Sequence, residues 1–193
     1  MLQTKQVNNA KVLSRRLLTS AYEWISTLIV SLLLLVVLFT FFFRVVTVTG
    51  DSMDYTLRDG EQLLLVTNVS EYNHGDIVVV DRYTIEPLIK RVIAVGGDTI
   101  EIKKDGTVYL NGSMLSEPYA SRVTPMKDCT APITIPKGYV FVMGDNRMNS
   151  LDSRSETVGL VLEKDIIGKA ILRVSPFSAF GSVYNNMEHT VVE

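Results

Sequence analysis

The feature that most constrains this chain is a run of 20 residues, Trp24 to Phe43 (WISTLIVSLLLLVVLFTFFF), with no charge, proline or glycine. A helix rising 1.5 Å per residue over that length spans about 30 Å, the thickness of a bilayer hydrocarbon core. A helix apolar on every face has no place on the surface of a small soluble domain, so a single transmembrane helix is predicted over residues 24–43. The run exceeds the roughly 7–15 apolar residues of a cleavable export signal, and Phe41-Phe42-Phe43-Arg44 stands where small residues would mark cleavage. An uncleaved anchor is therefore expected. Lys5, Lys11, Arg15 and Arg16 precede the run against one acidic residue, Glu23, while only Arg44 follows closely. This bias places residues 1–23 in the cytoplasm, as a polar segment with an interfacial helix near residues 12–22, and the rest outside.

Beyond Arg44 the apolar period changes from helical to strand-like. Short apolar runs, Leu63–Val66, Ile77–Val80, Leu88–Val95, Tyr139–Met143 and Ile166–Val174, are separated by turn signals such as Asp59-Gly60, Asn73-His74-Gly75-Asp76 and Gly96-Gly97-Asp98. Ile100–Lys103, Asp105-Gly106 and Thr107–Leu110 read as a hairpin with a two-residue turn, and Asn111-Gly112 begins another. The expected fold is mainly β: about eight to ten strands over residues 44–184, in packed sheets or a barrel, with a small inserted region near 99–138 and a frayed tail at 185–193. The net charge of −2, with charges gathered in turns, gives no basic stripe and no reason to expect a nucleic-acid partner. The single cysteine, Cys129, excludes an intramolecular disulfide.

Serine attacks a carbonyl only when a neighbouring base takes its proton. The two histidines are poor candidates, since His74 sits in a polar turn and His189 in the tail. Lys90 lies inside an apolar run, Pro87-Leu88-Ile89-Lys90-Arg91-Val92-Ile93. Burial there favours the neutral amine, and a useful base needs its pKa lowered by about 2–3 units from ~10.4. Taken alone, such a pattern is met more often by a lysine that snorkels to water. Ser52 follows the turn signal Thr49-Gly50-Asp51, where most serines are simply turn residues.

Four segments in order bring these residues together. Gly50-Asp51-Ser52-Met53-Asp54-Tyr55-Thr56-Leu57 resembles the nucleophile box G-x-S-M-x-P-T-L of the bacterial type I signal peptidases. His74-Gly75-Asp76-Ile77-Val78-Val79 resembles that family's R-G-D-I-V-V strand. Lys90-Arg91-Val92-Ile93-Ala94-Val95-Gly96-Gly97-Asp98 resembles its lysine box, and Gly144–Arg154 its G-D-N-R-x-N-S-x-D-S-R box almost throughout. The resemblance spans about residues 24–175 and fits the shorter Gram-positive form. It implies a membrane-bound serine endopeptidase of a bacterial plasma membrane that needs no cofactor or metal and removes signal peptides from exported preproteins. Ser52 would be nucleophile and Lys90 general base. Ser150 would orient the Lys90 amine, and Asp145 with Arg91, and Asp152 with Arg154, would be bracing ion pairs. The Ser52 N–H would hold the oxyanion, and Val48, Met53, Leu57 and Ile89 would line pockets for small P1 and P3 residues of an extended peptide. Tyr55 and Gly96 stand where the family has proline, His74 where it has arginine, and Gly50 where some relatives have an oxyanion-binding serine.

Three other readings use the same anchor or chemistry. A sortase-like transpeptidase would need Cys129 as nucleophile with His74, but Cys129 lies in a loop-like stretch. A self-cleaving repressor of the LexA type would need a DNA-binding N-terminus in place of the apolar run. A non-enzymatic anchored β module would leave Ser52 and Lys90 far apart.

Overall fold

The computed structural model describes residues 2–81, 86–120, 123–184 and 190–192. The chain divides into two compact units between Phe42 and Phe43. The first is one helix, α1, over Leu2–Phe42. Its stretch Leu18–Phe42 is 25 residues long, apolar enough to cross a membrane, and none of it is buried. The helix does not begin near Trp24, as the apolar run alone suggested. It continues back to Leu2 because residues 2–42 contain neither proline nor glycine to interrupt it. It ends where the β-branched run Val45-Val46-Thr47 takes up an extended strand.

The second unit is mainly β. Its strands are β1 (Phe43–Thr47), β2 (Gln62–Val66), β3 (Ile77–Val80), β4 (Leu88–Val95), β5 (Thr99–Ile102), β6 (Val108–Leu110) and β7 (Ser113–Ser116). They continue with β8 (Ile133–Thr134), β9 (Tyr139–Met143), β10 (Val161–Leu162), β11 (Ile166–Ser175), β12 (Gly181–Ser182) and β13 (Thr190–Val192). A large antiparallel sheet runs β1-β2-β11-β3-β4-β9-β10, with β12 alongside β11. A smaller sheet runs β13-β7-β6-β5-β8.

The consecutive apolar residues of β3 follow from burial on both faces. Ile77 and Val79 pack with Leu63, Leu65 and Ala170 in one cluster, while Val78 and Val80 pack with Val92, Val140 and Val142 in another. A strand covered on both sides has no position left for a polar residue. A third cluster joins Ile93 and Phe141 of the large sheet to Ile100, Val108, Leu110 and Leu115 of the small one.

The small sheet shows two turn chemistries. Asn111 and Gly112 both have positive φ, 53° and 85°, and alone separate the paired residues Leu110 and Ser113. That is the two-residue turn whose twist suits a hairpin. The β5–β6 turn is one residue longer than expected: Lys103 N–H bonds to the Thr107 carbonyl, with Gly106 at φ 86°. Thr190–Val192, read from the sequence as frayed tail, pairs with β7 from Ser116 to Met114. Residues 185–189 and 193 of that tail lie outside the described residues.

Candidate active site

The turn that carries Ser52 begins where β1 ends. Val48 N–H bonds to the Glu61 carbonyl and Gly60 N–H to the Val48 carbonyl, so the chain stays pinned to its neighbour up to Val48. It then reverses through Gly50, whose φ of +81° places its N–H 2.8 Å from Asp59 Oδ1. Asp54 N–H to the Asp51 carbonyl and Leu57 N–H to the Met53 carbonyl close the turn around Ser52. Tyr55, where the resembling family has proline, has φ +81° and is exposed. Proline fixes φ near −65°, so the turn here is a different conformation rather than a loosened copy.

Lys90 is the third residue of β4, paired with Val78 of β3. Its side chain is buried at 2% exposure, and Nζ donates to Ser52 Oγ at 2.7 Å and to the Ile89 carbonyl at 2.8 Å. Burial lowers the Lys90 pKa to about 8; Asp152 and Asp145 oppose this, while Lys127 and Arg154 add to it. Desolvation wins because each nearby carboxylate already has an arginine of its own.

Those pairs are fully buried. Arg91 holds Asp145 through Nε to Oδ1 at 2.8 Å and Nη2 to Oδ2 at 2.6 Å, and its Nη1 reaches the Gly75 carbonyl at 2.9 Å. Arg154 holds Asp152 through Nε at 2.8 Å and Nη2 at 2.7 Å. Burial would raise the Asp152 carboxyl, but the hydrogen bonds and charge of Arg154 outweigh it and hold its pKa below the ordinary value. Thr56, four residues past Ser52, donates to Asp145 Oδ2 at 2.5 Å and so ties the Ser52 turn to the same pair.

Ser150 is near but not where the resemblance implied. Its Oγ is buried and makes no hydrogen bond to Lys90, whose amine donates instead to Ser52 Oγ and the Ile89 carbonyl. Gly144 packs closely against both Ser150 and Ser52. A Cβ there would lie 2.2 Å from Ser150 Oγ and 2.4 Å from the Ser52 carbonyl oxygen. Only a residue without a side chain lets these two segments touch.

Several supporting residues escape sequence reasoning. Tyr119 places its ring 4.0 Å from the Arg91 guanidinium, a cation–π contact on the buried pair. Arg147, fully buried, donates through Nη1 to Glu117 Oε2 at 2.7 Å and to Thr124 Oγ1 at 2.6 Å. Glu117, Tyr119 and Thr124 follow the last inner strand of the small sheet, 23 to 30 residues from their partners, and no local pattern marks them. Asn146 and Asn149 were visible within the Gly144–Arg154 motif but had no assigned part. Both bond to Asp51, beside Ser52.

A groove of about 800 Å³ opens at Ser52 and Lys90. Val46, Thr49, Val79, Leu88, Ile89 and Leu151 are among its walls. Of the four expected pocket residues, only Ile89 lines it. Val48, Met53 and Leu57 are buried in the cluster behind, against which Val46, Ile89 and Ile167 pack. The period of two explains this, because Val46 and Val48 lie on one side of an extended segment that has already turned into the core by Val48. His74 is a surface residue 2.6 Å from Asp98. Cys129 is buried, its thiol pKa pushed up by desolvation. Neither has the setting of a nucleophile or its base.

The sequence pattern of the family described as "Signal peptidase, peptidase S26" matches residues 21–175. The chain belongs to that family. Signal peptidase I of Bacillus licheniformis is 37% identical over 171 residues, covering 82% of this chain and 91% of that protein. Signal peptidase I T of Bacillus subtilis (strain 168) is 35% identical over 191 residues, covering 92% and 97%. Signal peptidase IB of Staphylococcus aureus (strain N315) is 35% identical over 184 residues, covering 84% and 94%. A solved signal peptidase I from Enterococcus faecalis V583 is 30% identical, covers 53% of this chain and 98% of its own, and has a TM-score of 0.43. The protein is a membrane-anchored signal peptidase and a serine protease; the transpeptidase and non-enzymatic readings have no support.

Proposed function

We propose that this signal peptidase cleaves preproteins with Ser52 as nucleophile and Lys90 as general base. The observation that carries the reading is the 2.7 Å separation of Ser52 Oγ and Lys90 Nζ on a buried lysine whose pKa is lowered to about 8. Near pH 7.4 about a fifth of such an amine is neutral, enough to accept a proton. As Ser52 Oγ attacks the scissile carbonyl, its proton passes to Lys90 and a tetrahedral intermediate forms, with its oxyanion at the Ser52 N–H. The ammonium then gives that proton to the departing amine, leaving an acyl-enzyme ester. A water, deprotonated by Lys90 in turn, releases the signal peptide's new carboxylate.

The substrate enters as a strand. Among the described residues β1 pairs only with β2, and Leu88, Ile89 and Lys90 pair only with β3, so both segments offer open backbone to the groove between them. A peptide bound there forms ladder hydrogen bonds while alternate side chains meet the apolar walls. Small P1 residues fit a wall backed by the rigid cluster of Val48, Met53 and Leu57. The charge bias around α1 sets the N-terminus in the cytoplasm of a bacterium and the β unit outside its plasma membrane, where a bilayer-held preprotein presents its cleavage site at raised effective concentration.

The test is cleavage of a preprotein by the membrane-embedded chain. Ser52→Ala and Lys90→Ala each abolish it, whereas Cys129→Ala leaves it unchanged. Cleavage surviving in either of the first two removes the dyad.

A further inference from the structure

One residue grips both carbonyls that flank Ser52. Asn146 Nδ2 donates to the Asp51 carbonyl at 3.1 Å, and Asn146 N–H donates to the Ser52 carbonyl at 3.0 Å. Asn149 adds a second grip on the same residue, its Nδ2 lying 2.8 Å and 2.7 Å from Asp51 Oδ1 and Oδ2. These contacts span 94 to 98 residues of sequence. They fix the plane of the peptide bond between Asp51 and Ser52.

That peptide is the one that matters for charge stabilisation. In a trans peptide the C=O and N–H point in opposite directions. Turning the Asp51 carbonyl toward Asn146 therefore turns the Ser52 N–H away from Asn146 Nδ2. Among the described residues no group accepts a hydrogen bond from that N–H. A donated hydrogen bond to the carbonyl also polarises the peptide and strengthens its N–H as a donor. Gly50, two residues earlier, has no hydroxyl to share the load.

We propose that Asn146 is the positioning residue of the oxyanion site, acting through the Asp51 carbonyl to aim the Ser52 N–H, with Asn149 as a weaker second hold through the Asp51 carboxylate. The inference rests on Ser52 being the nucleophile. Asn146 touches neither the substrate nor the reacting atoms; its contribution appears only when negative charge develops on the scissile oxygen.

The test uses the full chain in phospholipid–detergent micelles, with a preprotein bearing P1 alanine. Asn146→Ala removes the side-chain donor, and Asn146→Asp keeps the size but sets a carboxylate against the Asp51 carbonyl. The backbone bond to the Ser52 carbonyl survives in both. Removing an oxyanion donor outright costs about 10²–10³ in kcat, so misaiming it should cost roughly 10- to 100-fold, with KM within about twofold. A peptide aldehyde of the signal sequence, which forms a hemiacetal with Ser52, should lose affinity by the same factor, while the matching carboxamide binds as before. The pH of half-maximal rate stays where it was, because Lys90 is untouched. Asn149→Ala shows the same signature at smaller size. A kcat within threefold of wild type in both Asn146 variants overturns the proposal. So does a loss carried by KM, or an aldehyde affinity that survives the fall in kcat. Ser52→Ala separates the two readings: if it is inactive while the Asn146 variants are normal, only this inference fails, and if it stays active the nucleophile assignment fails first.

Discussion

Replacing Lys90 by methionine should destroy cleavage and yet stabilise the protein at neutral pH. Burial holds the folded-state pKa near 8 against an unfolded value of 10.5. That gap corresponds to roughly 3 kcal/mol of cost for carrying the charge in the folded state. The sign follows from proton binding. Below about pH 8 both states are protonated and the cost is fully present. Between about 8 and 10.5 the unfolded chain binds more protons, so stability rises with pH, and above 10.5 the cost is gone. Methionine fills a similar volume without charge, and no carboxylate is orphaned, since Asp145 keeps Arg91 and Asp152 keeps Arg154. Losing the bonds to Ser52 Oγ and the Ile89 carbonyl returns about 1–2 kcal/mol of the gain. The expected net effect near pH 7 is a gain of about 1–2 kcal/mol, a Tm rise of about 2–8 °C for a chain of this size. Thermal unfolding of both proteins in micelles, at steps from pH 6.5 to 10.5, measures it. A Lys90→Met protein less stable at pH 7, or an advantage that does not shrink toward pH 10.5, would refute the claim that desolvation controls this lysine.

Three further outcomes follow from the same geometry. The cleavage rate of the wild-type chain should rise with pH to half its plateau near pH 8, and Lys90→Arg should be inactive because a guanidinium stays protonated; a pH–rate profile shows both, and activity in the arginine variant would mean the amine is not the base. Gly144→Ala sets a methyl against the Ser52 carbonyl and Ser150 Oγ and should cost on the order of 10² in kcat with the fold retained; kcat near wild type would show that this approach does not matter. A preprotein with P1 phenylalanine should be cut roughly 5- to 150-fold more slowly than one with P1 alanine, from the ~1–3 kcal/mol of overpacking, and equal kcat/KM would remove the proposed pocket.

By itself the sequence determined the elements whose cause is local. An uncharged run of bilayer length forms a helix that only lipid can surround, and apolar strands punctuated by Asp-Gly and Asn-Gly turns form a mainly β unit. Resemblance to the family's motifs also pointed to Ser52, Lys90 and the two arginine–aspartate pairs. Tertiary structure alone decided what depends on contacts between distant segments. Whether Lys90 is buried beside Ser52 or snorkels to water turns on β3, β9 and the Gly144 approach, none of which the Lys90 segment encodes. Val48, Met53 and Leu57 could be pocket or core on pattern alone, and packing made them core. Tyr119, Glu117 and the asparagines on Asp51 carried no periodic signal, because a polar side chain chooses its partner across 30 to 100 residues by where the fold delivers it, and desolvation then sets how strongly that contact counts.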